Sequence, residues 1–114
     1  MHPDARKLLE DVRRACDLLG EFIASKSFAD YEDDAMLRSA VERQFEIIGE
    51  AVNALTRIDL ATAQRMTRYE RIIAFRNILI HAYADVDNRL VWDVLRNSLP
   101  TLRNEVATLL REAE

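Results

Sequence analysis

Two glycines and two prolines are all the turn punctuation that a chain of 114 residues carries. A sandwich, a barrel or a doubly wound sheet needs many more tight turns than that. A single cysteine, Cys16, excludes a disulfide framework and a cysteine-built zinc site. No apolar run approaches the roughly 18 residues of a membrane span. The opening residues, Met1-His2-Pro3-Asp4-Ala5-Arg6-Lys7, lack the apolar stretch of a secretory signal. Twenty acidic residues against 16 basic ones give a net charge of −4, which excludes a strongly basic nucleic-acid binder at the level of bulk charge. What is present is 49% apolar, enough for a packed core. The expectation is one cytoplasmic, all-α domain over residues 1–114, with no membrane contact, metal or cofactor.

Charge is uneven along the chain. Residues 1–56 hold seven basic and twelve acidic side chains, and residues 57–114 hold nine and eight. Arg57, Arg65, Arg68, Arg71 and Arg76 stand against only Asp59 and Glu70 in the stretch 57–76. Such a stretch reads either as a solvated helix face or as an anion-binding edge, for which arginine is the better suited cation. Arg65, Arg68 and Arg71 are the candidates for such an edge.

Three- and four-residue spacing of apolar side chains marks the helices. One spans about 3–24, with Leu8, Val12, Cys16, Leu19 and Ile23 on its stripe. Residues 25–34 read as a connection anchored by Phe28 and Tyr31. A second helix spans about 34–56 through Leu37, Val41, Ile48, Val52 and Leu55. Gly49 sits inside it at a cost of about 1 kcal/mol relative to alanine, which close approach of a neighbouring helix would explain. Residues 57–68 have room for a short helix. A third long helix is expected over 69–85. Asp87 suits the N-cap of a short helix through Leu95, Asn97-Ser98 reads as a break, and Ser98 and Pro100 suit the start of a last helix. The architecture that fits is an up-and-down four-helix bundle with one short additional helix.

Chemistry concentrates in residues 76–83, Arg-Asn-Ile-Leu-Ile-His-Ala-Tyr. On a regular helix Ile72, Phe75, Leu79, Ala82 and Val86 form the core stripe, while Arg76 and Tyr83 share a face at its edge. Asn77 and His81 share another face, pointing away from the core. Ile73 and Ile80 form a narrow apolar seam between the two polar pairs, which a second subunit would cover. Arg76 and His81 lie about 140° apart at 100° per residue, so one copy does not close around a substrate. Two copies about a two-fold axis would. Arginine would hold a phosphate, and a histidine from each subunit would supply a general base and a general acid. On RNA that pair permits metal-free attack of a ribose 2′-OH on its own phosphate, leaving a 2′,3′-cyclic phosphate and a 5′-OH.

Residues 76–83 resemble the Arg-polar-X3-His signature of HEPN domains, and the extended Arg-X4-His-X-Tyr form resembles that of the HepT toxins. The helix stretch Val41 to Ala51, with its Ile-Gly-Glu-Ala, is similar to that family too. So are Tyr83, Val86, Asp87 and Trp92, and the Leu99-Pro100 pair. The resemblance covers about residues 1–112. It implies a homodimeric bundle with ribonuclease activity, in which Arg76 and His81 are catalytic and Asn77 assists. It also implies a minimal nucleotidyltransferase antitoxin that AMPylates Tyr83. A phosphodiester on Tyr83 would set an anion against Arg76 and fill the cleft with a nucleotide.

Other residues read more plainly. Glu46 and Glu50 share a helix face at a spacing that can bind metal, but no Glu-X-X-His accompanies them. An ion-paired or solvated role is expected, with Glu50 able to orient Arg76. His2 reads as disordered, Cys16 as buried, and Trp92 and Tyr31 as packing residues. The alternative function is a non-catalytic HEPN-like module that binds a nucleotidyltransferase.

Overall fold

The computed structural model describes residues 1–114, the side chain of Tyr83 excepted. Helix α1 (Ala5–Phe22) buries Leu9, Val12, Ala15, Cys16 and Leu19 on one stripe. Ser25, with a positive φ of 63°, turns the chain after it. The expected connection contains a short helix, α2 (Phe28–Asp33). Its start is a capping box: the Ser27 hydroxyl accepts from the Asp30 amide at 3.2 Å, and the Asp30 carboxylate accepts from the Ser27 amide at 2.9 Å. Six residues are too few to show a helical period, which is why the apolar pattern passed over this element. Tyr31 anchors it, fully buried with its ring 5.6 Å from that of Trp92.

Asp34 caps α3 (Ala35–Ile58), accepting from the Leu37 amide at 3.0 Å. Asp59 then caps α4 (Leu60–Ala63) and also accepts from the His2 amide at 2.9 Å. The Nδ1 of His2 accepts in turn from the Asp4 amide, so this residue is tied down rather than disordered. Helix α5 (Tyr69–His81) ends four residues earlier than expected. Ala82 leaves helical geometry, and residues Tyr83–Asp85 form a 3₁₀ turn. Asp87 competes for the chain beyond, its carboxylate accepting from the amides of Arg89 and Leu90 to start α6 (Asn88–Asp93).

The expected break at Asn97-Ser98 is absent. Helix α6 runs through a π-helical turn (Val94–Ser98) directly into α7 (Leu99–Glu112), and Ser98 makes no side-chain cap. The reason is the stripe Val91, Leu95, Leu99, Leu102, Val106 and Leu109, which stays buried across the junction. Pro100 lacks an N–H and crowds the carbonyl four residues back. The wider π turn, with the Leu99 amide bonded to the Val94 carbonyl, absorbs that misfit.

Four long helical units make the bundle, as expected. Helix α3 lies at its centre, packed on α1 on one side and α5 on the other, while α7 packs on α1. Helices α5 and α7 do not close on each other. Between them runs an apolar groove of about 570 Å³. Among the described residues no helix is long and apolar enough to cross a membrane.

Candidate active site

Helix α5 meets α3 through two contacts of different kinds. The first is an edge-to-face pair of Phe45 and Phe75, with centroids 5.1 Å apart and planes at 80°. Such a pair adds about 0.5–1.5 kcal/mol beyond its buried area. The second is the stem of Arg76 lying across Gly49. A Cβ placed on Gly49 would sit 2.2 Å from the Cβ of Arg76 and 2.6 Å from its Cγ. Only a residue without a side chain admits the arginine here. The close helix approach expected from a mid-helix glycine is present, and the neighbour is the arginine of the candidate motif.

Two side chains then partner the Arg76 head. Its Nη1 donates to the Asn77 side-chain oxygen at 3.0 Å, and its Nη2 lies 3.5 Å from the Glu50 carboxylate. Its Nε is buried and has no hydrogen-bond partner among the described residues. The Arg76 side chain is 25% exposed and that of Glu50 52%. A pair this wet contributes about 1 kcal/mol or less to stability, so its effect is on orientation. Glu46 pairs instead with Arg43 at 3.4 Å, and both carboxylates of that helix face are engaged by arginines.

Asn77 and His81 are exposed, and His81 is the last residue of α5. The register that placed Tyr83 beside Arg76 does not hold, because α5 stops before it. The Tyr83 side chain itself lies outside the described residues.

The apolar seam is partly covered by the chain itself. Ile73, Arg76 and Ile80 share one face, and neither isoleucine is exposed. Ile73 packs against the core of its own chain and Ile80 is half-buried. The exposed large apolar residue of α5, among the described residues, is Ile78, at 45%. It lines the groove with Ile72 and Phe75 of α5 and Leu90, Val94 and Leu102 across from them.

The three arginine candidates part company. Arg68 and Arg71 line the groove. Arg65 does not; it is held by Glu112 through contacts of 2.6 and 3.2 Å. That hydrogen-bonded pairing raises the pKa of Arg65 and lowers that of Glu112, so both stay charged and neutralise each other. The groove lining does not include Arg76, Asn77 or His81. Among the described residues no three His, Cys, Asp or Glu side chains gather as a metal-binding group.

The local sequence pattern allows Glu50 to orient Arg76 but does not place Gly49 beneath that arginine. Position 49 did carry a signal, since a glycine inside a long helix is unfavourable without a packing reason. Nothing in the local pattern tells which residue of which helix provides that reason.

The chain is similar to known proteins along most of its length. The chain is 32% identical over 107 residues to a protein of Caldanaerobacter subterraneus subsp. tengcongensis named "Putative RNase TTE0752", covering 94% of this chain and 95% of that one. It is 33% identical over 101 residues to the "Probable ribonuclease HepT" of Thermococcus cleftensis, covering 89% and 91% of the two chains. It is 28% identical, along its whole length, to 51% of the "Gamma-glutamylcyclotransferase and putative RNase MJ0434" of Methanocaldococcus jannaschii. No solved structure matches it at comparable significance. The family described as ribonuclease HepT-like matches residues 12–109, and this chain belongs to that family.

Proposed function

We propose that the chain is the RNA-cleaving toxin of a toxin–antitoxin pair, acting as a homodimer without a metal ion. The observation that carries the reading is Arg76, held on α3 with its Nη edge outward, on the helix that ends in an exposed His81. Arg76 binds the scissile phosphate and stabilises the negative charge that grows on it. His81 of one copy takes the proton of the ribose 2′-OH as that oxygen attacks phosphorus. His81 of the other gives a proton to the departing 5′-oxygen. The phosphorus–5′-oxygen bond breaks, and the products are a 2′,3′-cyclic phosphate and a 5′-OH. Asn77 holds one Nη of the arginine during this step. Arg68 and Arg71 offset the net charge of −4 for an approaching RNA. AMPylation of Tyr83 by a minimal nucleotidyltransferase antitoxin is the inhibition that fits the motif.

Cleavage of RNA in EDTA by unmodified protein, beside His81→Ala, tests the reading. The expected result is cleavage by the first alone, leaving cyclic phosphate ends. No cleavage by either, with Tyr83 shown unmodified by intact mass, would support the second reading, a non-catalytic module that binds a nucleotidyltransferase. The open groove between α5 and α7, with Arg68 and Arg71 at it, is the observation that favours such a module.

A further inference from the structure

We infer that Glu50 is a positioning residue for Arg76, and that Gly49 and Glu50 together form the seat that fixes where its guanidinium meets a phosphate. The inference rests on the ribonuclease reading of the same site. A guanidinium carries five N–H donors. One on Nη1 goes to Asn77 and one on Nη2 faces Glu50, while Nε is buried against the chain. Among the described residues the hydrogens left for a ligand are therefore one on each Nη, and a phosphate is gripped from the tip of the arginine rather than from its side. That geometry depends on holding two bonds at once, the stem and the head. Gly49 holds the stem, because no other residue type leaves room for Arg76 Cβ and Cγ against α3. Asn77 is the arginine's own neighbour on α5 and moves with it. Glu50 is the one polar partner of the head that belongs to a different helix, among the described residues. It ties the guanidinium to the α3 frame instead of to α5 alone. More than half exposed and 3.5 Å away, it holds the head without covering it.

A carboxylate in that place has a cost that makes the role testable. It partly cancels the charge that attracts phosphate in the ground state, while it limits the motion of the group that must be in place in the transition state. Glu50→Gln keeps the length of the side chain and an acceptor oxygen but loses the charge. The expected result is a kcat about tenfold lower with a KM that does not rise, and a kcat up to about a hundredfold lower for Glu50→Ala. A residue that only supports the fold would lower the melting temperature and the active fraction and leave kcat per active site unchanged. A second measurement reads the seat without any turnover. In nitrogen-15 spectra of the wild type, the Nη groups of Arg76, assigned by their loss in Arg76→Lys, should show hindered rotation. Glu50→Ala should free them and Glu50→Gln should restore part of the restraint. Active wild type with Glu50 variants of unchanged kcat and unchanged Arg76 rotation overturns the inference. A wild type that cleaves no RNA overturns the ribonuclease reading and with it a catalytic use for the seat, whatever the spectra show.

Discussion

The two glycines of this protein both lie inside long helices, and they are not equivalent. A Cβ on Gly20 of α1 would meet only the end of the Arg103 side chain, at 3.8 Å. A Cβ on Gly49 of α3 would fall inside the stem of Arg76, at 2.2 Å. Both positions carry the same cost in helix propensity. At Gly20 no contact requires it, and nothing in the structure explains the residue. At Gly49 the cost allows two backbones to approach closely enough to grip an arginine between them. The difference shows that a glycine in a helix becomes informative only when its neighbour is known.

The contrast can be broken most severely at Gly49. Gly49→Ala should destabilise the fold by about 1–3 kcal/mol, the usual range for overpacking, despite alanine's better propensity. RNA cleavage should fall on the order of a hundredfold, because the arginine stem must shift. Chemical denaturation and initial rates check both, and a variant as stable and active as the wild type would show that the helices have room to spare.

Cys16 reports whether such damage stays local. It is buried in the α1 side of the core, where burial, with Asp17 adding to the effect, pushes its thiol up to about 12. It should resist thiol reagents at neutral pH in the native protein and react on unfolding. It should stay protected in Gly49→Ala if only the α3–α5 joint is disturbed. The same shift has a pH consequence. The unfolded chain loses this proton first, so stability should decline as pH rises from the ordinary thiol range near 8.5 toward 12, as an alkaline denaturation series would show. The smallest effect is expected at Gly20, where Gly20→Ala should raise stability by about 0.5–1 kcal/mol with activity unchanged. A loss there would mean that Gly20 also serves a contact.

Helices α1 and α3 were legible because their buried residues recur at three- and four-residue steps over four turns or more. Helix α2 was not, since a capping box and one buried tyrosine hold it rather than a period. The α6–α7 junction misled for the opposite reason. Asn-Ser-Leu-Pro has the composition of a break, but a continuous buried stripe outweighs it and the backbone answers with a π turn. At the site, Arg76, Asn77 and His81 could be read together because they lie within six residues on one helix. A regular helix carried on to Tyr83 misstates the backbone, because α5 ends at His81, and Ile73 lies against the core of its own chain.

Composition and spacing alone determined that this chain is all-α, where α1 and α3 run, and which six residues hold the arginine and histidine of its motif. Those properties follow from local geometry, which one helix carries by itself. The tertiary structure decided which way α5 faces, that Gly49 and Glu50 receive Arg76, that Arg65 is spent on Glu112, and that a groove stays open between α5 and α7. Each of these depends on residues far apart in the chain, joined only when helices pack at a particular rotation and distance.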